Sequence, residues 1–153
     1  MKREKINKLY ILLKEEAAKA QKAANEARAA ANEIAKSSYN SPSQSGDRFH
    51  SQGQADIAIE MAARLSGALK RVGEELTRKA PEEITPICFV NLEYDDGTKD
   101  GLYYLEEPLS IAGNKFVSSN SPFGVALAGK KVGESFIFES SDIKRSGKIT
   151  SIT

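Results

Sequence analysis

The chain has 153 residues, of which 40% are hydrophobic and 7% aromatic, a composition that suits one small globular domain or two rather than one large core. The formal net charge of +1 hides an asymmetry, because residues 1–80 carry 15 Lys and Arg against 10 Asp and Glu, whereas residues 81–153 carry 7 against 11. This excess is too small to predict autonomous DNA binding, and the opposite signs favour a partner with both protein and nucleic-acid surfaces.

Cysteine and histidine usage excludes several classes of protein. The single cysteine, Cys88, rules out an internal disulfide framework and favours a reducing, cytoplasmic compartment. It lies within the apolar stretch Ile87–Val90, so we expect a buried strand position rather than a reactive thiol. With His50 as the only histidine, most nucleophilic triads are excluded. No run approaches the roughly 20 apolar residues of a membrane span, so we expect neither a secretory signal nor a membrane partner.

The first helical pattern runs from Glu4 to about Lys36 without Pro or Gly, and it is rich in Ala, Lys, Glu and Leu, which are strong helix formers. Its apolar positions are spaced by three and four residues, with one extra four near Leu13 that resembles a stutter. These positions are Ile6, Leu9, Leu13, Ala17, Ala20, Ala24, Ala27, Ala31 and Ile34. The pattern predicts a helix roughly 50 Å long.

A polar segment from Ser37 to Gln54, with Pro42 and Gly46, interrupts the helical pattern. A second helical pattern follows from about Ala55 to Lys79, with apolar positions at Ala58, Met61, Leu65, Leu69 (or Ala68), Val72 and Leu76. Two helices joined in this way predict an antiparallel hairpin over residues 1–80 with its tip near residues 40–50. Taken alone, such an Ala-rich hairpin is more often an oligomerisation device or a spacer.

The C-terminal half predicts a small β domain. Pro81 ends the second helix, Ile84–Tyr94 alternates as a strand, and Asp95–Thr98 is a hairpin turn that leads back into Gly101–Leu105. Leu109–Ile111 is ambiguous. Further strands are predicted at Lys115–Ser118, Glu134–Phe138 and Lys148–Ile152. We therefore expect four or five antiparallel strands with one short helix.

The stretch from Ser118 to Phe138 is the most informative part of the chain. Ser121 is a good N-cap, Pro122 suits the first helical position, and Gly129 suits a left-handed C-cap. The order Ser-Pro-Phe-Gly, then Ala-Leu-Ala-Gly-Lys-Lys, then Val-Gly-Glu resembles the C-terminal domain of the Gre family of bacterial transcript-cleavage factors over about twenty residues. The resemblance implies an α+β protein, in which the hairpin of residues 1–80 precedes an FKBP-like domain over residues 83–153.

The resemblance also implies a mechanism, in which the hairpin enters the secondary channel of RNA polymerase and its tip acts beside the active site. Two tip acids in the pattern Gly-Asp-x-x-Glu then help hold a second Mg²⁺ for hydrolysis of a backtracked transcript, because Mg²⁺ prefers carboxylate and water oxygens. Gly46-Asp47 fits this pattern, but His50 replaces the second acid, and imidazole is a poor Mg²⁺ ligand. Either His50 or Asp56 would have to take the place of that acid, and the simpler alternative for Asp47 is an N-cap of the second helix.

The docking surface implied by the resemblance is the turn at Asn120, Ser121, Pro122 and Phe123, which would grip a coiled coil at the rim of the channel. The partner is then bacterial RNA polymerase, with indirect contact to RNA and DNA, and the factor is expected to be a monomer with no catalytic site or cofactor of its own beyond a shared Mg²⁺ at Asp47. Three alternatives stay open: an inhibitor or competitor in the channel without cleavage stimulation, a hairpin module for another partner, and a prolyl isomerase. The isomerase is disfavoured because the chain has no Trp to floor a proline pocket and gives little sign of a pocket.

Overall fold

The structure, a computed structural model, describes residues 3–37 and 45–153, without the side chains of residues 35, 37 and 45–51. These ranges contain three helices, α1 (Glu4–Ser37), α2 (Ser45–Glu75) and α3 (Pro122–Leu127). They also contain five strands, β1 (Cys88–Tyr94), β2 (Lys99–Leu105), β3 (Phe116–Ser118), β4 (Ser135–Ser140) and β5 (Ile143–Ile152). The described part of the chain has no helix that is both long and apolar enough to cross a membrane.

The chain divides into two compact units. The helical unit spans Lys8–Glu74 and contains most of α1 and α2. The β unit contains Glu75–Thr153 together with the N-terminal residues up to Asn7. The expected fold class, a helical hairpin followed by a small β domain with one short helix, is confirmed.

The helical unit buries one line of residues along each helix. On α1 the buried positions include Leu9, Leu13, Ala24 and Ala31, as the sequence pattern predicts. On α2 they are Ala55, Ala62, Leu65 and Val72, spaced by seven and three residues. Met61 is half exposed, so its predicted place in the seam is wrong, and the adjacent Ala62 occupies that place. The smaller side chain suits a close approach of two Ala-rich helices.

Helix α2 begins ten residues earlier than the sequence pattern predicts, at Ser45 rather than Ala55. Its first turns include Gly46 and Gly53, each of which costs roughly 1 kcal/mol in a helix relative to Ala. The helix nevertheless continues, with Ala55 buried and the Gln52 amide donating to the Asp56 carboxylate at 3.2 Å. The predicted tip at residues 40–50 lies partly outside the described residues. Within that range the structure describes only residues 45–50, and of these only the backbone.

The β unit is built on one sheet with strand order β3-β2-β1-β5-β4. All neighbouring pairs are antiparallel except β2 and β3, which are parallel with Tyr103 opposite Phe116. The sheet is therefore mixed, and the predicted all-antiparallel sheet is wrong on this point. Residues 106–115 form a crossover connection between β2 and the parallel strand β3 instead of a hairpin turn.

The core of the β unit lies on one face of this sheet, under α3. The largest fully buried side chains there are those of Tyr104, Phe136, Ile84, Leu92, Leu127 and Ile149. Cys88 belongs to the same core, and burial raises the pKa of its thiol to about 11. The prediction of a buried cysteine is therefore confirmed, and the raised pKa disfavours the thiolate, which is the reactive form.

Arg3 connects several segments of the β unit. It is only 6% exposed, and its guanidinium donates to the Glu75 carboxylate at 2.9 Å and to the main-chain oxygens of Glu75, Ile87 and Thr153 at 3.0–3.3 Å. On the same face, Lys5 lies over the Phe89 ring at 5.0 Å, and the Tyr103 hydroxyl donates to the Lys5 carbonyl. The start of α1 is therefore an integral part of this unit.

Candidate functional site

The Ser-Pro-Phe-Gly stretch forms the start of α3, and each of its residues has a local reason to be there. Ser121 is the N-cap, and its hydroxyl accepts the main-chain N–H of Gly124 at 3.0 Å while donating to the Ser118 carbonyl at 2.7 Å. Pro122 is the first helical residue, where its missing N–H leaves no hydrogen bond unmade. The capping prediction for Ser121 is confirmed.

Gly124 fixes how closely α3 approaches β3. A Cβ atom at this position would lie 1.8 Å from the Ser118 carbonyl oxygen, so only glycine fits. The Gly124 carbonyl in turn accepts a hydrogen bond from the buried Tyr104 hydroxyl at 2.9 Å. At the other end, Gly129 has φ +73°, the left-handed conformation predicted for the C-terminal stop of this helix. These contacts make the turn a rigid platform.

A cleft of about 650 Å³ opens beside this platform. Its lining is mainly apolar and includes the polar side chains of Ser118, Asn120 and Ser121, a composition that is common in binding pockets. The lining residues are Pro108, Leu109, Phe116, Val117, Ser118, Asn120, Ser121 and Phe123. The structure thus brings together three of the four predicted docking residues in one concave surface, with the exposed Pro122 next to them.

Phe123 has two roles in this region. Its ring packs edge-on against Phe136 at 6.0 Å and Phe138 at 5.2 Å, and the side chain is half-buried. The same side chain lines the cleft. An aromatic residue at this position therefore contributes to the core of the β unit and to its accessible surface at once.

The cleft corrects one expectation, since the sequence gives little sign of a pocket in this domain. Its far wall is formed by Pro108 and Leu109, from the connection between β2 and β3, which the sequence pattern left ambiguous. Pro108 and Leu109 lie only 12 and 11 positions before Asn120 in the sequence. The sequence feature that could have indicated this wall is the apolar pair Pro108 and Leu109, which directly follows the acidic Glu106 and Glu107.

The two predicted tip residues, Asp47 and His50, lie on the first two turns of α2, and their side chains are outside the description. Because the helix begins at Ser45, Asp47 is inside it, so the N-cap alternative for Asp47 is wrong. An acid in the first turn is still favoured by the helix dipole. Residues three apart share one face of a helix, so Asp47 and His50 occupy neighbouring positions.

Asp56 is on the other side of the same helix. Nine residues along a continuous α-helix correspond to about 13 Å of rise and two and a half turns, so Asp56 occupies the face opposite Asp47. Its side chain is exposed and accepts the Gln52 amide. Asp56 therefore cannot replace the second tip acid beside Asp47.

The described side chains form no metal site. Where side chains are described, no group of three or more His, Cys, Asp or Glu converges on a point. A single carboxylate followed by an imidazole does not make a Mg²⁺ site by itself, because Mg²⁺ takes oxygen ligands in octahedral geometry.

Comparison with known proteins gives one family match. Residues 79–153 match the model described as transcription elongation factor, GreA/GreB, C-terminal domain. No curated protein sequence matches at a significant level.

Solved structures with a similar chain trace include GreA factor homolog 1 (Gfh1) of Thermus thermophilus, at 19% identity and a TM-score of 0.41, with 94% of each chain covered. Gfh1 of Thermus aquaticus has 20% identity and a TM-score of 0.42, covering 94% of this chain and 92% of that one. A GreA/GreB factor from Nitrosomonas europaea has 22% identity and a TM-score of 0.37 over 56% of this chain and 78% of that one.

The assignment comes from the family model together with the residues that explain it. The matched range contains the whole sheet, α3 and the Ser121–Gly124 turn, whose geometry requires the residues that the motif specifies. Residues 79–153 form a GreA/GreB C-terminal domain, and the chain belongs to the Gre family of transcription elongation factors.

Proposed function

We propose that this chain regulates transcription elongation by docking its β unit on bacterial RNA polymerase and inserting the distal end of its helical hairpin into the secondary channel. The observation that most supports this proposal is the GreA/GreB domain at residues 79–153, whose Ser121–Gly124 turn borders an apolar cleft. In this proposal the polymerase performs the chemistry, and the chain contributes position and one carboxylate.

The docking step uses the cleft beside α3. Phe123, Leu109 and Val117 offer apolar surface to a helix side chain from the partner, and Asn120 offers an exposed amide at the rim. The platform is held by the Ser121 cap and the close Gly124 contact, so little ordering entropy is lost on binding.

The step at the active site uses Asp47. We propose that its carboxylate adds an oxygen ligand beside the polymerase's own Mg²⁺ and so modulates cleavage of backtracked transcripts. His50, at the neighbouring position, is not expected to add a second ligand, because imidazole is a poor Mg²⁺ ligand. With one acid instead of two, we expect stimulation of cleavage to be weak.

The second candidate function is obstruction of the channel without stimulation of cleavage. It is favoured by the continuous helix from Ser45, which leaves His50 next to Asp47 and turns Asp56 to the opposite face. In that case the factor slows nucleotide addition and competes with other channel-binding factors.

A backtracked elongation complex tests the proposal with two matched variants. Asp47→Ala should abolish the effect of the factor on transcript cleavage while binding to polymerase is unchanged, and Asp56→Ala should behave as wild type because it lies on the opposite face. Equal activity of wild type and Asp47→Ala would exclude the carboxylate role. Slower nucleotide addition with no cleavage by wild type would select the second candidate.

The docking surface is tested separately by Asn120→Arg, which places a long charged side chain at the cleft. We expect it to weaken retention on core polymerase at low micromolar concentration. Ser141→Arg, which adds the same charge at the exposed β4–β5 turn, is the control and should bind as wild type. No retention of the wild-type chain would contradict the proposal as a whole.

A further inference from the structure

A second cavity opens in the β unit, and it shares no lining residue with the cleft beside α3. Its volume of about 450 Å³ is within the usual range for ligand pockets. One wall is the turn between β1 and β2, and the other is the start of β5. The lining residues are Tyr94, Asp95, Asp96, Thr98, Ile143, Lys144, Arg145 and Ser146. We call this space the edge cavity.

The edge cavity exists because β5 extends beyond the end of β1. Strand β5 pairs with β4 from Ile143 onward, but it pairs with β1 only from Gly147 onward. The β1 side of this ladder ends with the hydrogen bond from the Asp95 N–H to the Ser146 carbonyl at 3.0 Å. The chain then turns into β2, so no strand of the described residues lies opposite residues 143–145 on that side.

Main-chain groups of Lys144 point into this open space. In an antiparallel strand, the N–H and C=O of one residue point to the same side, and alternate residues share that side. Ser146 directs its carbonyl toward the β1 side, so Lys144, two residues earlier, directs both of its main-chain groups into the edge cavity. An open strand edge of this kind can pair with an extended peptide.

The turn side of the edge cavity is acidic. The Asp95 carboxylate accepts the Ser146 hydroxyl, which is a neutral donor. Hydrogen bonds from the Thr98 hydroxyl and from its main-chain N–H, the latter at 2.8 Å, lower the pKa of Asp96, so this carboxylate stays charged. Both carboxylates are exposed, and they offer two negative charges to a cationic group in the cavity.

The strand side of the edge cavity is basic, and its two cations differ. The Lys144 ammonium pairs with Glu139 of the neighbouring strand at 3.5 Å, so its charge is already matched. The Arg145 guanidinium lies over the Tyr94 ring at 5.6 Å, a contact that leaves its N–H groups available to a carboxylate. A ligand in the cavity is therefore expected to place an anionic group at Arg145 and a cationic group at the turn.

Register and charge select the same orientation for a bound peptide. A peptide antiparallel to β5 runs in the direction of β1, so its residues lie opposite Arg145, Lys144 and Ile143 in order from its N-terminus. It must begin there, because Asp95 already occupies the position opposite Ser146. Its α-ammonium then faces the acidic turn. A parallel peptide would bring a carboxylate to the same acids and be repelled.

We propose that the edge cavity binds the free N-terminus of a partner protein, in extended form and with an acidic first residue. The α-ammonium binds Asp95 and Asp96, and the first side chain binds Arg145. The second residue exchanges main-chain hydrogen bonds with Lys144. Arg3 is hydrogen-bonded at the other end of β1, roughly 20 Å away along the strand, so the start of this chain is not the ligand. The inference does not rest on the proposed function.

An NMR titration of the full-length, ¹⁵N-labelled chain with the tetrapeptide Asp-Thr-Val-Thr-amide tests the inference. The amide signals of residues 95–98 and 143–146 should shift. Acetylation of the peptide N-terminus should weaken binding by about tenfold, because the ammonium is lost. Methylation of the second peptide nitrogen should weaken it by a similar factor, because this N–H donates to the Lys144 carbonyl.

A charge reversal separates recognition from any effect on folding. Arg145→Glu should bind Lys-Thr-Val-Thr-amide more tightly than Asp-Thr-Val-Thr-amide, which is the opposite of the wild-type order. Partial unfolding would weaken both peptides and cannot reverse this order. The matched control is Lys148→Gln, which removes an exposed positive charge from β5 where β1 already pairs with it. This variant should bind as wild type.

Several results would overturn the inference. Unshifted signals at millimolar peptide would show that the edge cavity is not a peptide site. Equal binding of the acetylated peptide, or tighter binding of acetyl-Thr-Val-Thr-Asp with a free C-terminus, would contradict capture of an N-terminus. An unchanged order of the two peptides in Arg145→Glu would exclude the role of Arg145. Asn120→Arg should leave peptide binding intact, so this inference and the proposed function can fail independently.

Discussion

Gly124 illustrates how a single residue determines the geometry of the candidate docking site. The Ser118 carbonyl occupies the space where a side chain would begin, and the Gly124 carbonyl is held by Tyr104. Gly124→Ala forces α3 away from β3, and we expect it to lower the free energy of unfolding by about 2–3 kcal/mol. Urea denaturation measures this change. Val125→Ala, at the neighbouring exposed position of the same helix, should change it by less than about 0.5 kcal/mol, and equal midpoints for the two variants would refute the explanation.

Cys88 makes the stability of the β unit depend on pH in the alkaline range. Its thiol has a pKa near 9.0 when unperturbed and about 11 in the folded chain, because burial disfavours the thiolate. Between these values the folded state holds more protons than the unfolded state, so the free energy of unfolding falls as the pH rises. The loss over this window is about 2–3 kcal/mol.

The comparison that isolates this thiol uses Cys88→Ala. Burial also raises the pKa of Tyr103 and Tyr104, and both tyrosines are retained in the variant. Urea midpoints measured at pH 8.5 and pH 10.5 should therefore fall more steeply for wild type than for Cys88→Ala, although the variant is less stable throughout. Equal falls in the urea midpoint for wild type and Cys88→Ala would mean that the thiol does not contribute to the pH dependence of stability.

At the scale of elements, Arg3 ties the start of α1 to Glu75 at the end of α2, to Ile87 just before β1 and to the last residue of the chain, all within the β unit. Arg3→Met removes the closest cation from the largely buried Glu75 carboxylate, which keeps only Arg78 at 3.6 Å, and removes a donor from the main-chain oxygens of Glu75 and Ile87, so we expect a loss of about 2–4 kcal/mol. Thermal unfolding measures it. Lys8→Met, which removes an exposed positive charge from the same helix, is the control and should have little effect. A loss no larger than that of the control would rule out this role.

Helix α1 and helix α2 differ in how well their sequences predict them. The periodicity of α1 gives its limits to within one residue, because it contains neither Gly nor Pro and its buried positions follow the apolar pattern. The start of α2 could not be predicted in this way, since Gly46 and Gly53 weaken the helical signal and only continuity with the packed residues from Ala55 onward supports the first turns. Met61 and Ala62 are both compatible with the spacing, and packing decides between them.

The candidate docking site is likewise predictable only in part. The turn at Ser121–Gly124 is encoded locally by a cap, a proline and a glycine, so it can be identified from the residues themselves. The opposite wall of the cleft at Pro108 and Leu109 depends on the parallel pairing of β2 and β3, which is a non-local contact. The hydrophobic periodicity of the sequence does not predict such a pairing, because strand β3 is only three residues long.

At the scale of the whole molecule, the chain combines two units with separate capacities. The β unit matches the C-terminal domain of GreA/GreB transcription elongation factors and has an apolar cleft beside α3. The helical unit continues α2 to Ser45 and so carries Asp47 and His50 at its distal end. We propose that docking of the β unit brings the end of α2 that carries Asp47 and His50 to the active site. This proposal requires both units to engage one polymerase at the same time.

Site-directed photo-crosslinking from the distal end of the hairpin tests this claim most directly. In the variant Gln52→Cys the exposed new thiol can be labelled selectively, since Cys88 is buried with a raised pKa. We expect crosslinks from position 52 to the RNA 3′ end or the active-site region of a backtracked complex, and we expect these crosslinks to be lost when Asn120→Arg is added. Crosslinks confined to the outer surface of the polymerase, or unchanged by Asn120→Arg, would contradict it.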